Sequence, residues 1–180
     1  MKLDDLTQTL ETISKQYDSY PPVMDWQPEN VGSIDIRIDR EGNWYHEGVK
    51  FERDALVQLF SKLLRKEGDT HYLVTPVEKL AIRVDCAPIV ILSMVKIGEG
   101  EQAELFFTTN TNEKIHLASP MVFETIEYSG QKLPCLPLRN GLQALVHRNV
   151  FYQLAALTEI DEDENAYIVS HGETFYLPSP

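Results

Sequence analysis

The chain has 180 residues, a length that predicts one domain or two small ones and allows a hydrophobic core without disulfides or metal. Hydrophobic residues make up 43% and charged residues 24%, which excludes disorder and collagen-like structure for the chain as a whole. The 28 acidic and 16 basic residues give a net charge of −12. Because such a field repels nucleic-acid phosphate and anionic lipid, we expect no nucleic-acid partner. No apolar run reaches the roughly 18 residues of a membrane span, so we expect no membrane span.

The N-terminus and the two cysteines predict a cytoplasmic location. Residues 1–5 are acidic and do not begin an apolar segment, so we expect no secretory signal. Cys86 and Cys135 form neither a disulfide framework nor a paired metal or redox motif. We expect both thiols to be small buried hydrophobic side chains.

The first half of the chain predicts a helix followed by a hairpin–helix–hairpin unit. Apolar residues recur at helical spacing over 3–17, and Pro21-Pro22 ends that helix. Ile34, Ile36 and Ile38 alternate with charged residues, which is typical of a half-buried strand. An apolar stripe then predicts a helix that runs as far as Leu64 and ends at Gly68-Asp69. A second hairpin over 72–84 turns at Pro76.

The second half of the chain predicts strands over 88–97, 105–109, 115–117 and 122–128, and then repeats the pattern of the first half. Asn140-Gly141 predicts a hairpin turn, a helix follows over 148–158, and the last hairpin covers 167–177. A shift of 95 residues aligns 53–82 with 148–177 at seven identities, where random pairing gives roughly two. Either the chain holds two copies of one unit, or two common patterns align by chance.

Together these patterns predict an α+β fold with an N-terminal helix at 1–19 and two related subdomains at 20–87 and 88–180. The sheets should be mostly antiparallel, because hairpins make most of the connections. If the copies are real, their interface is a concave seam, the kind of place where ligand pockets form.

No catalytic, metal or cofactor motif occurs in the sequence. Phosphate-binding loops, zinc signatures and nucleophile elbows are absent. Asp161, Asp163 and Asn165 imitate the start of a calcium loop, but Ala166 stands where that loop needs glycine. The five histidines are spread along the chain and none pair at helical spacing. We therefore assign no catalytic residue, no metal and no cofactor.

Four places carry side chains suited to binding. Trp44 and His46 share one strand end, and an aromatic face can stack on a flat ligand; the alternative is that Trp44 belongs to the core. Arg53 begins a helix, where a cation opposes the helix dipole, so we expect an acidic partner or a ligand for it.

The turn Thr75-Pro76-Val77-Glu78-Lys79 carries a hydroxyl beside an ion pair; the alternative is ordinary turn chemistry with solvated charges. Arg139 precedes the Asn-Gly turn and can hold a carboxylate or phosphate through two hydrogen bonds. The alternative for Arg139 is an exposed hairpin tip.

These stretches resemble the bacterial proteins grouped as domain of unknown function 1285, over about residues 22–178. The motifs that carry the resemblance are Trp44-Tyr45-His46-Glu47-Gly48, Thr75-Pro76-Val77-Glu78-Lys79 and Arg139-Asn140-Gly141. The resemblance implies a duplicated core whose second subdomain is superficially like a pleckstrin-homology fold. It also implies a nucleotide-like ligand at the seam and a role in signal transduction. No reaction is established for the family, whose members often carry His-Pro where this chain has Ser119-Pro120.

The leading hypothesis is a non-enzymatic ligand-binding or sensor protein. A small anionic ligand would be neutralised by Arg53, Lys79 and Arg139, would pack against Trp44 and His46, and would lie at the interface of the two subdomains with Thr75 and Glu78. The first alternative is a protein–protein interaction adaptor whose acidic faces attract a basic partner. The second is a hydrolase that uses His46 with Glu47 or Asp85 as an acid–base pair.

Overall fold

The computed structural model describes residues 3–17 and 19–178. Residues 1, 2 and 18 of the predicted range 1–19, and residues 179 and 180 of the predicted range 88–180, lie outside the described residues. By internal contacts the chain divides into two units. The first unit comprises Met1–Asp85 with Asn140–Leu142, and the second comprises Cys86–Arg139 with Gln143–Pro180.

The described residues of the first unit form two helices and a six-stranded sheet in the order β3-β2-β1-β6-β5-β4. All neighbouring strands are antiparallel except β1 and β6, which are parallel. The elements in chain order are α1 (Leu3–Gln16), β1 (Asn30–Ile38), β2 (Trp44–His46), β3 (Val49–Lys50), α2 (Asp54–Ser61), β4 (Leu64–Glu67), β5 (Thr70–Val74) and β6 (Glu78–Val84).

The core of the first unit forms where the apolar stripes of the helices meet one face of this sheet. Leu6 and Leu10 of α1 are buried, as their helical spacing predicts. Ile36 and Ile38 of β1 are fully buried while Arg37 between them is exposed, as alternation along a strand requires. The sheet therefore has one apolar face and one polar face.

Helix α2 is shorter than the apolar stripe predicts, because it ends at Ser61 and the chain then enters β4. Leu64 pairs with Leu73 of β5 and is fully buried there. Gly68-Asp69, expected to end the helix, forms the turn between β4 and β5. A short apolar run is buried equally well by a helix or a strand, so the spacing alone was misleading here.

Asn140–Leu142 belong to the first unit, although the residues on both sides of this segment, Arg139 and Gln143, belong to the second. Within the first unit, the Asn140 side-chain amide donates to the Leu64 carbonyl at 3.2 Å. Because β4 is the last strand of its sheet, this hydrogen bond satisfies a backbone group that a sheet edge otherwise leaves open.

The second unit holds a six-stranded sheet in the order β10-β11-β12-β7-β8-β9 and a three-stranded sheet β13-β14-β15. Among the strand pairs in the described part of this unit, β7 and β12 alone run parallel. The elements are β7 (Ile89–Ile97), β8 (Glu104–Thr109), β9 (Lys114–His116), β10 (Glu124–Tyr128), β11 (Gln131–Pro137), β12 (Gln143–Val146), α3 (Arg148–Ala156), β13 (Glu159–Ile160), β14 (Ala166–Ser170) and β15 (Glu173–Tyr176).

The predicted fold class is confirmed: two related α+β units with mostly antiparallel sheets. Helix α2 is followed by the antiparallel strands β4, β5 and β6, and α3 is followed in the same way by β13, β14 and β15. Asn140 and Gly141 adopt positive φ angles of 58° and 71° between β11 and β12, as an Asn-Gly turn favours. One parallel strand pair in each six-stranded sheet was not expected, and the pleckstrin-homology likeness stays a prediction.

Candidate functional site

The polar face of the first sheet is crossed by ion pairs. Arg83 donates to Asp35 at 2.7 Å, and the Arg37 guanidinium forms a bidentate pair with Asp85. The Arg83 and Asp35 side chains are 71% and 53% exposed, so water screens that pair and it contributes little to stability. These cations already have partners, which makes this stretch of the sheet electrostatically balanced.

A second group of charges lies at the β4 side of the same face, and we call it the Arg65–Lys79 cluster: Arg65, Glu67, Tyr72 and Lys79. Glu67 ion-pairs with the Arg65 guanidinium through one carboxylate oxygen and accepts from Lys79 Nζ at 2.9 Å through the other. Lys79 Nζ lies 4.8 Å from the centroid of the Tyr72 ring, within cation–π range. Two cations thus share one carboxylate beside an aromatic ring.

Burial makes this cluster unlike the ion pairs beside it. The Arg65 side chain is 2% exposed and Lys79 is 18% exposed, whereas Glu67 is 40% exposed. The hydrogen bond from Lys79, together with the charge of Arg65, holds the pKa of Glu67 below its usual value against the opposing effect of partial burial. The carboxylate is therefore ionised at neutral pH and is the most exposed charged group of the cluster.

Arg65 is held in place by the segment that joins α1 to β1. Its Nη1 donates to the carbonyl oxygens of Val23 at 2.7 Å and Trp26 at 2.9 Å. Arg65 Nε is buried and has no hydrogen-bond partner among the described residues. The fold thus hydrogen-bonds Nη1 alone, because Nη2 is also buried without a hydrogen-bond partner among the described residues and meets only Glu67, as an ion pair.

The turn that precedes Lys79 is a tightly bonded structural element. Thr75 is fully buried, and its Oγ1 accepts from the Glu78 amide at 3.2 Å and donates to the Glu78 carbonyl at 3.3 Å. Glu78 is 5% exposed. The structure thus brings Thr75, Glu78 and Lys79 together in one turn, with the hydroxyl of Thr75 occupied by the backbone.

Trp44, His46 and Arg53 lie elsewhere in the first unit. Trp44 is 1% exposed, and its ring centroid is 6.2 Å from those of both Phe51 and Phe60. Trp44 is therefore part of the core, and stacking on a ligand would require that core to open. His46 is half-buried opposite Ile36, and Arg53 is exposed at the start of α2 without a side-chain cap.

Arg139 belongs to the second unit, where it pairs with a carboxylate. Its Nη1 donates to both oxygens of Glu113, at 2.7 Å and 2.6 Å. The two side chains are 18% and 15% exposed. Glu113 is itself fixed by the Thr109 hydroxyl, which accepts from the Glu113 amide at 3.0 Å. The charge of Arg139 is therefore neutralised inside its own unit.

Sequence patterns missed a histidine cluster in the second unit. Glu104 lies between two imidazoles, 3.0 Å from His171 Nδ1 and 3.7 Å from His116 Nε2. Phe106 stacks on His116 with ring centroids 4.5 Å apart. The pairing of Phe106 with His116 across β8 and β9 follows from hairpin register, but His171 arrives from the β14–β15 turn, which no local pattern connects to β8.

Neither unit presents a metal centre or a membrane helix in its described part. Across residues 3–17 and 19–178, no group of three or more histidine, cysteine, aspartate or glutamate side chains is arranged to hold a metal ion. Over the same residues, no helix combines the length and apolar character needed to cross a bilayer.

The chain matches two family models that together cover residues 21–177. The first, described as "Domain of unknown function (DUF1285), N-terminal domain", matches 21–87, and the second, "Protein of unknown function (DUF1285), C-terminal domain", matches 88–177. No curated protein matches the chain.

Two solved structures of DUF1285 family proteins are similar to the chain. A protein from Silicibacter pomeroyi DSS-3 shares 36% identity at a TM-score of 0.79, with 94% of each chain covered. A protein from Shewanella baltica OS155 shares 22% identity at a TM-score of 0.54, covering 67% of this chain and 90% of its own, and at that identity it shows the fold alone. The two family matches and the similarity to the first structure agree that this chain belongs to the DUF1285 family of proteins of unknown function.

Proposed function

We propose that this protein binds a small anionic molecule that carries phosphate, and that the Arg65–Lys79 cluster is the site. The observation that carries the proposal is the pair of cations, Arg65 and Lys79, that share the single carboxylate of Glu67 beside the ring of Tyr72. The cluster has one excess positive charge in a chain whose net charge is −12. Glu67 occupies the place that an anionic ligand group would take.

An incoming phosphate can replace Glu67 without disturbing the fold. Glu67 lies on an edge strand and is 40% exposed, so its carboxylate can turn into water. Arg65 would then offer Nε, which has no hydrogen-bond partner among the described residues, together with Nη2. A guanidinium fork matches two phosphate oxygens, and Lys79 supplies a second point charge.

The negative charge of the whole chain opposes this ligand only at long range. The Debye length is ~8 Å at cellular ionic strength, so distant carboxylates are screened while contacts inside the cluster are not. Tyr72 supplies an aromatic edge next to the cations, which suits a nucleotide better than inorganic phosphate. A nucleotide-like ligand is therefore the preferred form of the proposal.

Four further residues predicted from the sequence lie in the first unit: Thr75, Glu78, His46 and Arg53. Thr75 and Glu78 form the turn that sets the start of β6 and so position Lys79. His46 lies opposite Ile36, on the apolar face of the sheet, and Arg53 lies at the start of α2, so neither belongs to the Arg65–Lys79 cluster and their contact with a ligand stays a prediction from the sequence. Variants His46→Ala and Arg53→Ala test that prediction separately from the cluster itself.

The experiment is isothermal titration of the protein with inorganic phosphate and with mono-, di- and cyclic nucleotides. Lys79→Met removes one of the two cations and should weaken binding about tenfold. Glu67→Gln removes the internal competitor and should strengthen binding. Arg83→Met is the matched control, since it removes a cation from the same sheet at a site that is 71% exposed and paired with Asp35.

Opposite signs for the Glu67 and Lys79 variants distinguish a site from general electrostatics. If Arg83→Met weakens binding as much as Lys79→Met, the effect is only the loss of charge and the proposed site is wrong. Absence of heat from every ligand at high micromolar protein would remove the anion-binding proposal.

A further inference from the structure

Strand β7 is covered along only part of its length. Residues 89–91 are buried and pair with β12 on one side, and Ile91 also pairs with β8 on the other. Residues 92–97 continue as a strand that pairs with β8 from Ser93 onward, after a register shift between Ile91 and Ser93, but no strand of the described residues pairs with their other side. The last six of the nine residues of β7 therefore form an open sheet edge.

This open edge carries apolar side chains that face water. Leu92, Val95 and Ile97 are 47%, 54% and 57% exposed. Val95 is paired with Phe106 of β8, and Phe106 in turn stacks on His116. Helix α3 also contacts β7, yet it leaves these side chains exposed. The apolar surface is thus continuous from the edge strand onto the adjoining sheet face.

An exposed edge strand rich in apolar side chains is unusual for a protein that binds no partner at that edge. Sheet edges are ordinarily protected by charges, prolines or a covering element, because unpaired amides and carbonyls accept any extended chain. Within 92–97 the only charged residue is Lys96, and no proline occurs. Such an edge fits recognition by strand addition, in which backbone hydrogen bonds give affinity and alternating side chains give selectivity.

The charges around the edge favour a basic occupant. Glu99 and Glu101 follow directly after β7, and Glu104 lies opposite Ile97 on β8. A second copy of this chain would bring a further net charge of −12 to the interface, which disfavours self-association. Within 92–101, Lys96 is the single Lys or Arg beside the carboxylates of Glu99 and Glu101, whereas Glu104 already faces His171 and His116.

We propose that residues 92–97 of β7 form a docking edge for an extended, basic segment of another protein, which adds as a strand beside β7. Its apolar side chains would lie next to Val95 and Ile97, and its cations would meet Glu99 and Glu101. This surface lies in the second unit and does not depend on the anion site proposed for the first.

The probe is a fluorescein-labelled peptide of about ten residues that alternates valine and lysine, a length typical of a long strand. Fluorescence anisotropy measures its binding to the whole protein. Val95→Lys and Ile97→Lys place cations on the edge and should each weaken binding about tenfold. Val122→Lys makes the same change at a residue of the same unit that is 61% exposed and lies outside β7, so we expect less than about a twofold effect.

A second peptide, with proline at alternate positions, tests the backbone ladder with the unaltered protein. Proline donates no hydrogen bond, so this peptide should fail to bind. Equal binding of the proline peptide, equal weakening by Val122→Lys, or no binding of the valine–lysine peptide would each overturn the proposal. A concentration-dependent dimer that Val95→Lys dissociates would also overturn it, because the occupant would then be a second copy.

Discussion

His71 on β5 should make the first unit lose stability as the pH falls below neutrality. The residue is 9% exposed, and burial, reinforced by the charge of Lys66, lowers its pKa from 6.5 to about 4. Between these two values the unfolded chain binds a proton that the folded chain does not, so acid favours unfolding. At ~1.4 kcal/mol per pH unit, the free energy of unfolding should fall by about 3 kcal/mol as the pH drops from 6.5 to 4.

The substitution His71→Leu tests this prediction because it removes the titrating group and leaves an apolar side chain in a buried place. Urea unfolding, followed by the fluorescence of Trp26 and Trp44, which both belong to the first unit, gives the free energy of unfolding of both proteins between about pH 7 and pH 4. Carboxylates titrate in both proteins, so the difference between them isolates His71. The difference should be constant above pH 6.5 and should change by about 3 kcal/mol below it.

Two outcomes would refute this reasoning about His71. One is a difference between wild type and His71→Leu that does not change with pH. The other is an NMR titration of the His71 ring with a midpoint near 6.5. Lys66→Met is a useful second variant, since removing that neighbouring charge should raise the midpoint of His71.

Three further substitutions test the structural roles assigned above, each by urea unfolding. Trp44→Ala should cost about 3–5 kcal/mol because it empties the centre of the first core; a loss under about 1 kcal/mol would contradict its burial. Thr75→Val should cost about 1–2 kcal/mol, since the amide and carbonyl of Glu78 lose their hydroxyl partner; an unchanged midpoint would mean that the turn does not depend on it. Glu113→Gln should cost roughly 2 kcal/mol by removing the carboxylate charge that accepts two hydrogen bonds from Arg139 Nη1, whereas the double variant with Arg139→Met should recover much of that loss.

Local pattern was sufficient for much of the fold. Helical spacing found α1, strict alternation found β1, and Asn140-Gly141 marked the turn between β11 and β12. What local pattern did not contain was the parallel pairing of β1 with β6 and of β7 with β12. Those strands are far apart in the chain, and their pairing is decided by which faces must be buried together.

The candidate site shows the same limit at the level of single residues. Lys79 stood out because it follows a turn motif, whereas Arg65 resembled an ordinary charged residue at the end of a helical stripe. Its burial arises from the carbonyls of Val23 and Trp26, which approach from a segment about 40 residues earlier. When a side chain is buried by backbone groups that are distant in the sequence, the residues next to it in the sequence do not predict its burial.

The segment Asn140–Leu142 has a consequence for the order in which this chain matures on the ribosome. Domains generally fold as they emerge, from the N-terminus, at roughly 5–20 residues per second. When synthesis reaches Asp85, all of the first unit has been made except Asn140–Leu142, which follow only when Leu142 has been added. For several seconds, therefore, β4 of the nascent chain has no Asn140 amide to donate to the Leu64 carbonyl. The first unit can be completed only after the ribosome has synthesised much of the second.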